Sequence, residues 1–430
     1  MADLRRVRLG EVAFEYKERI GQQAPDRPVY GVDKSVGLTA EPRYQSNDLS
    51  RYKRIENGMF AYNPMRLNIG SIGFCHDTLA PGIVSPDYVV FACRANGLLP
   101  RFMDYHIRST PWADWLSLAG EGSVRERIYF RKLQTYQLIL PDISYQAAAV
   151  EILSALDEKI ELNRRVNETL EALAQAIFKD WFVDFGPVRR KQDGATDAQA
   201  ILGGLIPDRA RAALIAELFP GRFGDDGLPE GWGRAVVSDL IEVNPREPLT
   251  RGAIAPYSEM ASLPTKGSTA SLPISKEYTS GMRFRNGDAL LARITPCLEN
   301  GKAAFVDFLT DDHAIGWGST EFIVFRAKFP IPEPFTYLLI RHPQFFEAAI
   351  RSMTGTSGRQ RAQTDILKSY PIPNAGAAIY RNFGVLISPI FAAITARASQ
   401  NRVLAETHGY LLPKLMFGEV NVRDAEAMAG

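Results

Sequence analysis

Cysteine is nearly absent: Cys75, Cys93 and Cys297 are the three in 430 residues. An odd number without metal-ligand spacing excludes a disulfide framework and a structural zinc site, and fits a reducing, cytoplasmic compartment. The five histidines, His76, His106, His313, His342 and His408, are scattered, with no metal-site spacing. Charge of one sign is also lacking: 50 Lys and Arg against 49 Asp and Glu leave +1. That balance neither supports nor excludes a nucleic-acid partner, because a basic footprint can be local. No apolar run reaches the roughly 18 residues of a membrane span. The N-terminal "MADLRRVRLGEV" has no signal-peptide core, so no membrane role is expected.

Catalytic signatures fail in turn. "SPDY" (Ser85 to Tyr88) has Asp where amino-methyltransferases carry a second proline, and no glycine-rich cofactor loop accompanies it. "DFG" (Asp184 to Gly186) lacks the nucleotide loop and catalytic loop of kinases, and no P-loop pattern occurs. The loose nuclease spacing from Pro141-Asp142 to Asp157–Lys159 ends on the exposed face of a helix. The chain is expected not to be an enzyme.

What is present is length and a repeat. A chain of 430 residues holds two or three domains. Residues 152–182, "ILSALDEKIELNRRVNETLEALAQAIFKDWF", carry a heptad seam: Ala149, Leu153, Leu156, Ile160, Asn163, Asn167, Leu170, Ala174, Ile177 and Trp181. A helix of roughly 40 residues would run about 60 Å and needs a partner. Residues 145–185 hold four basic and eight acidic residues, so this helix is not expected to touch DNA. A second seam lies 234 residues on: Phe383, Ile387, Ile390, Ile394, Arg397, Asn401, Leu404, His408, Leu411 and Leu415. Polar residues in a seam weaken it but penalise wrong registers. Asn163, Asn167 and Asn401 are therefore expected to set how the two helices pair, the alternative being a frayed, solvated stretch.

The same offset relates "PDYVVF" (Pro86 to Phe91) to "TEFIVF" (Thr320 to Phe325), and "GSVRERIYFRKLQTYQLILP" to "GTSGRQRAQTDILKSYPIP". Asn57-Gly58 matches Asn286-Gly287 at 229, a drift that places loops of unequal length between them. Each half reads as a mixed globular unit followed by a long helix. Pro389 either kinks the second helix or starts it behind Ser388.

This organisation resembles the DNA-specificity subunit of type I restriction–modification systems. The match is carried by "LDEKIELNRRVNETLEALAQAIFKDWFVDF", by the "ENG" of "RITPCLENGK" and by "LLPKLMFGEV". It covers nearly the whole chain. The resemblance implies a mixed α/β fold with an internal pseudo-two-fold repeat. Two target-recognition domains with short mixed sheets would be separated by two long antiparallel coiled-coil helices. The expected boundaries are target-recognition domain 1 at 1–144, a central helix at 145–185, a connector at 186–229, target-recognition domain 2 at 230–374, a C-terminal helix at 375–417 and a tail at 418–430. The implied function is reading a bipartite asymmetric site in double-stranded DNA. The implied partners are two methyltransferase subunits using S-adenosylmethionine and restriction subunits using ATP and Mg2+, with no cofactor or metal held by this chain. The alternative from another class is a protein–protein scaffold with two similar modules on a coiled-coil stalk.

Candidate DNA contacts follow from residue type and repeat position. Arg125 and Arg127 align with Arg359 and Arg361 behind Gly/Ser-rich turns, with Gln360 and Gln363 alongside. Arg reads guanine and Gln adenine through two hydrogen bonds each; for the aligned arginines phosphate contact is expected, against pairing with a local acid such as Glu126. The loops "NPMRLNIGSIGF" and "ARITPCLENGKAAF" add Arg66, Asn68, Ser71, Arg293, Asn300 and Lys302, though their composition equally suits ordinary hairpins. Phe178, Trp181, Phe182 and Phe185, with Leu411, Leu412, Leu415 and Met416, form a candidate apolar patch for methyltransferase subunits, part of which would close the helix pair. Trp112, Trp115, Trp232 and Trp317 are expected in cores.

Overall fold

The computed structural model describes residues 4–22, 27–40, 42, 44–95, 97–119, 127–311, 313–356 and 358–429. The chain divides into two compact units, Met1–Glu161 with Arg402–Gly430, and Leu162–Asn401.

In the first unit, strand Leu4–Arg8 pairs with Gln137–Pro141, and a one-turn helix Leu9–Val12 leads into a four-stranded sheet. Its order is Ala13–Tyr16, Val89–Cys93, Met59–Tyr62 and Ile72–Phe74. A second sheet orders Gly37–Thr39, Val29–Asp33, Gly82–Val84 and Lys53–Ile55, with the middle pair parallel. Aromatic and β-branched runs such as "MFAY" and "VVFAC" suit these strands because most of their side chains are buried.

The second unit repeats this plan strand for strand. Gly233–Val236 pairs with Pro371–Asn374, and helix Val237–Leu240 follows. One sheet orders Ile241–Val243, Phe322–Ala327, Ala289–Ala292 and Ala303–Phe305. The other orders Ile274–Glu277, Ile254–Ser258, Gly316–Gly318 and Met282–Phe284, again with a parallel middle pair. The aligned Asn-Gly turns do the same work twice. Gly58 and Gly287 sit at φ +81° and +89°, which glycine alone adopts without strain. Asn57 donates to the carbonyls of His76 and Leu79, and Asn286 to that of Leu309. The stretch "PFTYLLIRHPQFFEAAIRS" forms two helices, Pro334–Arg341 and Pro343–Arg351; Pro343 forces His342 into an extended conformation.

The long helices run Ile143–Phe182 and Ala377–Met416, each crossing from one unit to the other. In the first unit, Ala149, Ile152, Leu153 and Leu156 pack in one core with Leu411, Leu415 and Met416. In the second, Ala174, Ile177, Phe178 and Trp181 share a core with Phe383, Ile387 and Phe391. The pairing is antiparallel within each unit: His408 faces Asp157 in the first, and Asn163 faces Asn401 while Asn167 faces Ile394 in the second. Pro389 does not start the second helix, which begins at Ala377. This helix also holds an 18-residue window of mean hydropathy 1.5, enough by length and composition to cross a membrane. That corrects the expectation of no such run; its Ile379, Tyr380, Phe383, Ile387 and Phe391 are buried in the second unit's core.

Two further expectations change. The connector at 186–229, rich in Gly, Pro and Asp and expected to be irregular apart from a short helix at Arg209 to Leu218, holds that helix at Arg209–Glu217 and two more, Gly186–Gln192 and Ala198–Ile201. Their Val188, Ile201, Ala212 and Ile215, with Phe219, belong to the second unit's core, and Arg190 forks onto Asp180 at 2.7 and 2.9 Å. The tail holds a helix, Val422–Ala429, whose Ala425 is buried, and Tyr145 donates to the Val420 carbonyl.

Candidate nucleic-acid interface

The candidate loops, distant in sequence, are brought together in both units by the same backbone bond. In the second unit Ala362 N–H donates to the Arg293 carbonyl at 2.8 Å; in the first, Ile128 N–H donates to the Pro64 carbonyl at 2.9 Å. The second unit adds Thr295 N–H to the Gln360 carbonyl (3.0 Å) and Gln360 N–H to Thr295 Oγ1 (3.1 Å). The Arg293–Lys302 and Gly355–Gln363 stretches therefore present a common surface.

The side chains then sort by what holds them. Arg361 forks onto Glu321, Nη2 and Nε reaching the carboxylate at 2.7 to 3.0 Å, so it latches its loop to the strand bearing Phe322. Its counterpart Arg127 is exposed, donates to Tyr129 Oη at 3.2 Å and stands in electrostatic range of Asp87, the counterpart of Glu321. Gln363 donates to Thr354 Oγ1 and the Arg361 carbonyl, which occupies the amide expected to read adenine. Lys302 is tied to the Met260 carbonyl, and Arg293, half-buried, approaches Glu321 at 3.9 Å. Ser71 is buried, its hydroxyl 3.4 Å from the Val32 carbonyl, so it does not face a ligand. Arg361, Gln363 and Lys302 thus spend hydrogen-bonding groups within the fold, and Ser71 is enclosed in it. Arg66, Asn68, Asn300 and Arg359 are exposed and Gln360 is half-buried, all on these loops. Arg125 lies outside the described residues.

Asn68 also borders a cleft of about 740 Å³ in the first unit, lined by Lys34, His76, Arg108 and Trp112. Buried Asp104 lies at its wall, bonded to Arg101 (3.3 Å) and Arg108 (2.9 Å). Burial pushes the His76 imidazole below its usual range, and Asp104 opposes that shift.

The comparisons point one way. No family model matches the chain. The type I restriction enzyme HindI specificity subunit of Haemophilus influenzae is 30% identical over 223 residues, 44% of this chain and 49% of that protein. The chain thus spans about half the length of that relative. The type I restriction enzyme MjaIX specificity subunit of Methanocaldococcus jannaschii is 22% identical over 347 residues, covering 76% of this chain and 71% of that one. A type I restriction–modification S subunit from M. genitalium shares the fold at a TM-score of 0.55, with 11% identity over 96% of both chains. The chain is thus similar in sequence to type I restriction enzyme specificity subunits and shares the fold of one.

The apolar patch offered to methyltransferases needs correction. Phe178, Trp181, Phe182 and Met416 are 0 to 3% exposed. Phe182 stacks on Tyr380 and meets Phe335 and Phe383 edge-on, so these rings build the second unit's own core. Phe185 and Leu412 are only half-buried. Sequence reasoning also missed Arg341. Its guanidinium donates to the carbonyls of Thr265, Gly267, Gly301 and Ala303, and to Tyr337 Oη, which in turn donates to Glu171 on the long helix at 2.6 Å. This clamp ties the Asn300 turn to that helix. Its only sequence signal is a lone Arg closing the apolar helix "PFTYLLIR".

Proposed function

We propose that this chain reads DNA sequence as the non-catalytic specificity subunit of a type I restriction–modification complex. Each repeated unit reads one half of a bipartite, asymmetric site in double-stranded DNA through the joined loops carrying Arg66, Asn68 and Arg127, and Asn300, Arg359 and Gln360. Two adenine-N6 methyltransferase subunits supply S-adenosylmethionine chemistry, and restriction subunits supply ATP- and Mg2+-dependent cleavage; no cofactor belongs to this chain. The complex works in the cytoplasm. Asn163, Asn167 and Asn401 hold the register of the helix pair.

The observation that carries this reading is the duplicated topology with divergent loop surfaces. One plan used twice supplies two readers, and different exposed side chains on equivalent loops suit two different half-sites. A near-neutral chain fits a division of labour in which partners contribute much of the phosphate attraction.

The test is adenine-methylation mapping by long-read sequencing, comparing the source cell with one lacking this gene. Loss of one split, asymmetric methylated motif is expected. Exchanging residues 1–144 with those of a relative should then alter one half of the motif only; a change in both halves, or in neither, refutes two independent readers. Partner binding that is insensitive to salt, together with no preference for any DNA sequence, favours the scaffold reading instead.

A further inference from the structure

The second unit carries a basic and aromatic sheet face that belongs to none of its apolar cores. Register places Ile274, Tyr257, Trp317 and Arg283 in one row across the sheet whose edge is Ile274–Glu277. Residues directly opposite share a face, and alternation puts Lys276 and Tyr278 on it too. Phe284, on the reverse face, packs in the apolar core with Leu263 and Leu290. Trp317 is 3% exposed, covered by Tyr257 (ring centroids 4.4 Å) and by Tyr278 edge-on at 5.3 Å. Lys276 Nζ stands 4.3 Å over the Tyr257 ring, and the Arg283 guanidinium 5.9 Å over that of Tyr278. The Trp317 indole N–H, buried, has no acceptor among the described residues.

The cations on this face outnumber its acids. Arg285 follows Arg283 by two residues and is 51% exposed. Arg251 is exposed in the turn whose Gly252 donates to the Tyr278 carbonyl. Glu277 alternates to the reverse face, and Glu247, which pairs with Arg326 and lies 3.7 Å from Arg285, is buried. The edge strand is exposed along its whole length, with Ile274 at 60%. In the first unit the equivalent row is Val29, Ile83 and Arg54; Ile20, Leu49 and Tyr52 close over the two aliphatic residues, and Arg54 pairs with Glu18 at 3.1 Å. The repeat thus keeps this sheet and one arginine in its row, but the second unit adds Lys276 and the aromatic residues Tyr257 and Trp317 in place of the aliphatic pair.

We infer that this face is a DNA-contacting surface of the second unit. The ribbon formed by Ile254–Ser258 and Ile274–Glu277 lies against a duplex groove, with Lys276 and Arg285 on phosphates and Arg283 held beside them by its bond to the Glu247 carbonyl. The inference rests on the DNA-reading function proposed above. The occupant is duplex DNA because the face pairs a row of cations with π-surfaces and because a two-stranded ribbon fits the major groove.

The test uses the full chain in complex with its co-purifying methyltransferase subunits, on a duplex bearing the mapped motif. Affinity is measured across a salt series for wild type, K276Q, K276R and the double variant K276Q/R285Q. The double variant is expected to lose about tenfold or more in affinity and about two from the salt slope, as each lost phosphate contact removes about one. K276Q should lose about one from the slope, and K276R should restore it. K276Q alone, on an exposed side chain, keeps the test valid if the double variant fails to fold. Unchanged affinity and slope in folded variants overturn the inference and leave the DNA-reading function standing. Loss of methyltransferase co-purification with DNA affinity retained assigns the face to a protein partner and also overturns it. A wild-type complex with no preference for any DNA sequence overturns both.

Discussion

Replacing Asn163 and Asn167 by alanine, one at a time, should give opposite signs of stability change. Asn163 is 4% exposed and its Nδ2 donates to Gln400 Oε1 and Asn401 Oδ1, both at 2.8 Å. Two hydrogen bonds at about 1 kcal/mol each are lost, against about 0.6 kcal/mol of gained helix propensity, so N163A should lose about 1 to 1.5 kcal/mol. Asn167 makes one longer bond, 3.2 Å to the Ile394 carbonyl, while its Oδ1 is buried without a partner. Removing an unpaired buried oxygen returns about 1 to 3 kcal/mol, which exceeds the one bond lost, and the same propensity gain applies. N167A should therefore be neutral or stabilised by about 1 kcal/mol. The difference of about 2 kcal/mol corresponds to roughly 4 to 8 °C in the melting of a unit this size. Differential scanning calorimetry of the full chain at fixed pH reads it. Equal losses, or a larger loss for N167A, refute the assignment of seam register to Asn163.

Other outcomes follow from single groups. R341K keeps the charge, but a compact ammonium cannot span four carbonyls and Tyr337, so at least two acceptors go unbonded and about 2 to 4 kcal/mol is lost; amide exchange should accelerate at Gly301 and Ala303, and unchanged exchange would rule out the clamp. R361Q should speed exchange at Thr354 and Ala362 while leaving the first unit's protection unchanged, because its fork to Glu321 is the second unit's own latch; equal acceleration in both units contradicts that. His106, buried and bonded to Tyr136 Oη at 2.8 Å, has its imidazole pushed by burial down to about 4. Its pKa is lower folded than unfolded, so the unfolded chain takes up the proton first as pH falls. The neutral histidine's contribution is whole above about pH 6.5 and is lost between 6.5 and about 4, amounting to about 3 kcal/mol. Melting temperature against pH should show that fall, and H106Q should flatten it; an unflattened profile locates the titration elsewhere.

The repeat and the helix seam were legible because they are periodic. Burial at Leu153, Leu156, Ala174 and Ile177 follows from heptad spacing alone, and constant offsets survive divergence. Individual side-chain engagements were not legible, because they depend on groups far away in sequence. Arg361 is claimed by Glu321, 40 residues off; Lys302 by the Met260 carbonyl, 42 off; Ser71 is enclosed beside Val32. A Gly- and Asp-rich composition also misled. Residues 186–229 look like a bridge by their turns, yet Val188, Ile201 and Ile215 are enough to fold them into a core. Trp317 was expected in a core and is buried, but under tyrosines and a lysine rather than aliphatic neighbours.

The duplication itself separates structural residues from reading residues. Positions that do the same thing in both halves build the units: the left-handed Gly58 and Gly287, and the loop junctions at Ile128 and Ala362. A group needed twice for architecture cannot also distinguish two half-sites. Specificity must then come from positions where equivalent surfaces differ. The loop residues Asn68 and Asn300 qualify, and so does the sheet face that is aliphatic and covered at Val29 and Ile83 but aromatic at Tyr257 and Trp317 with Lys276 over them. Changes on the divergent surfaces should therefore alter one half-site and spare the other.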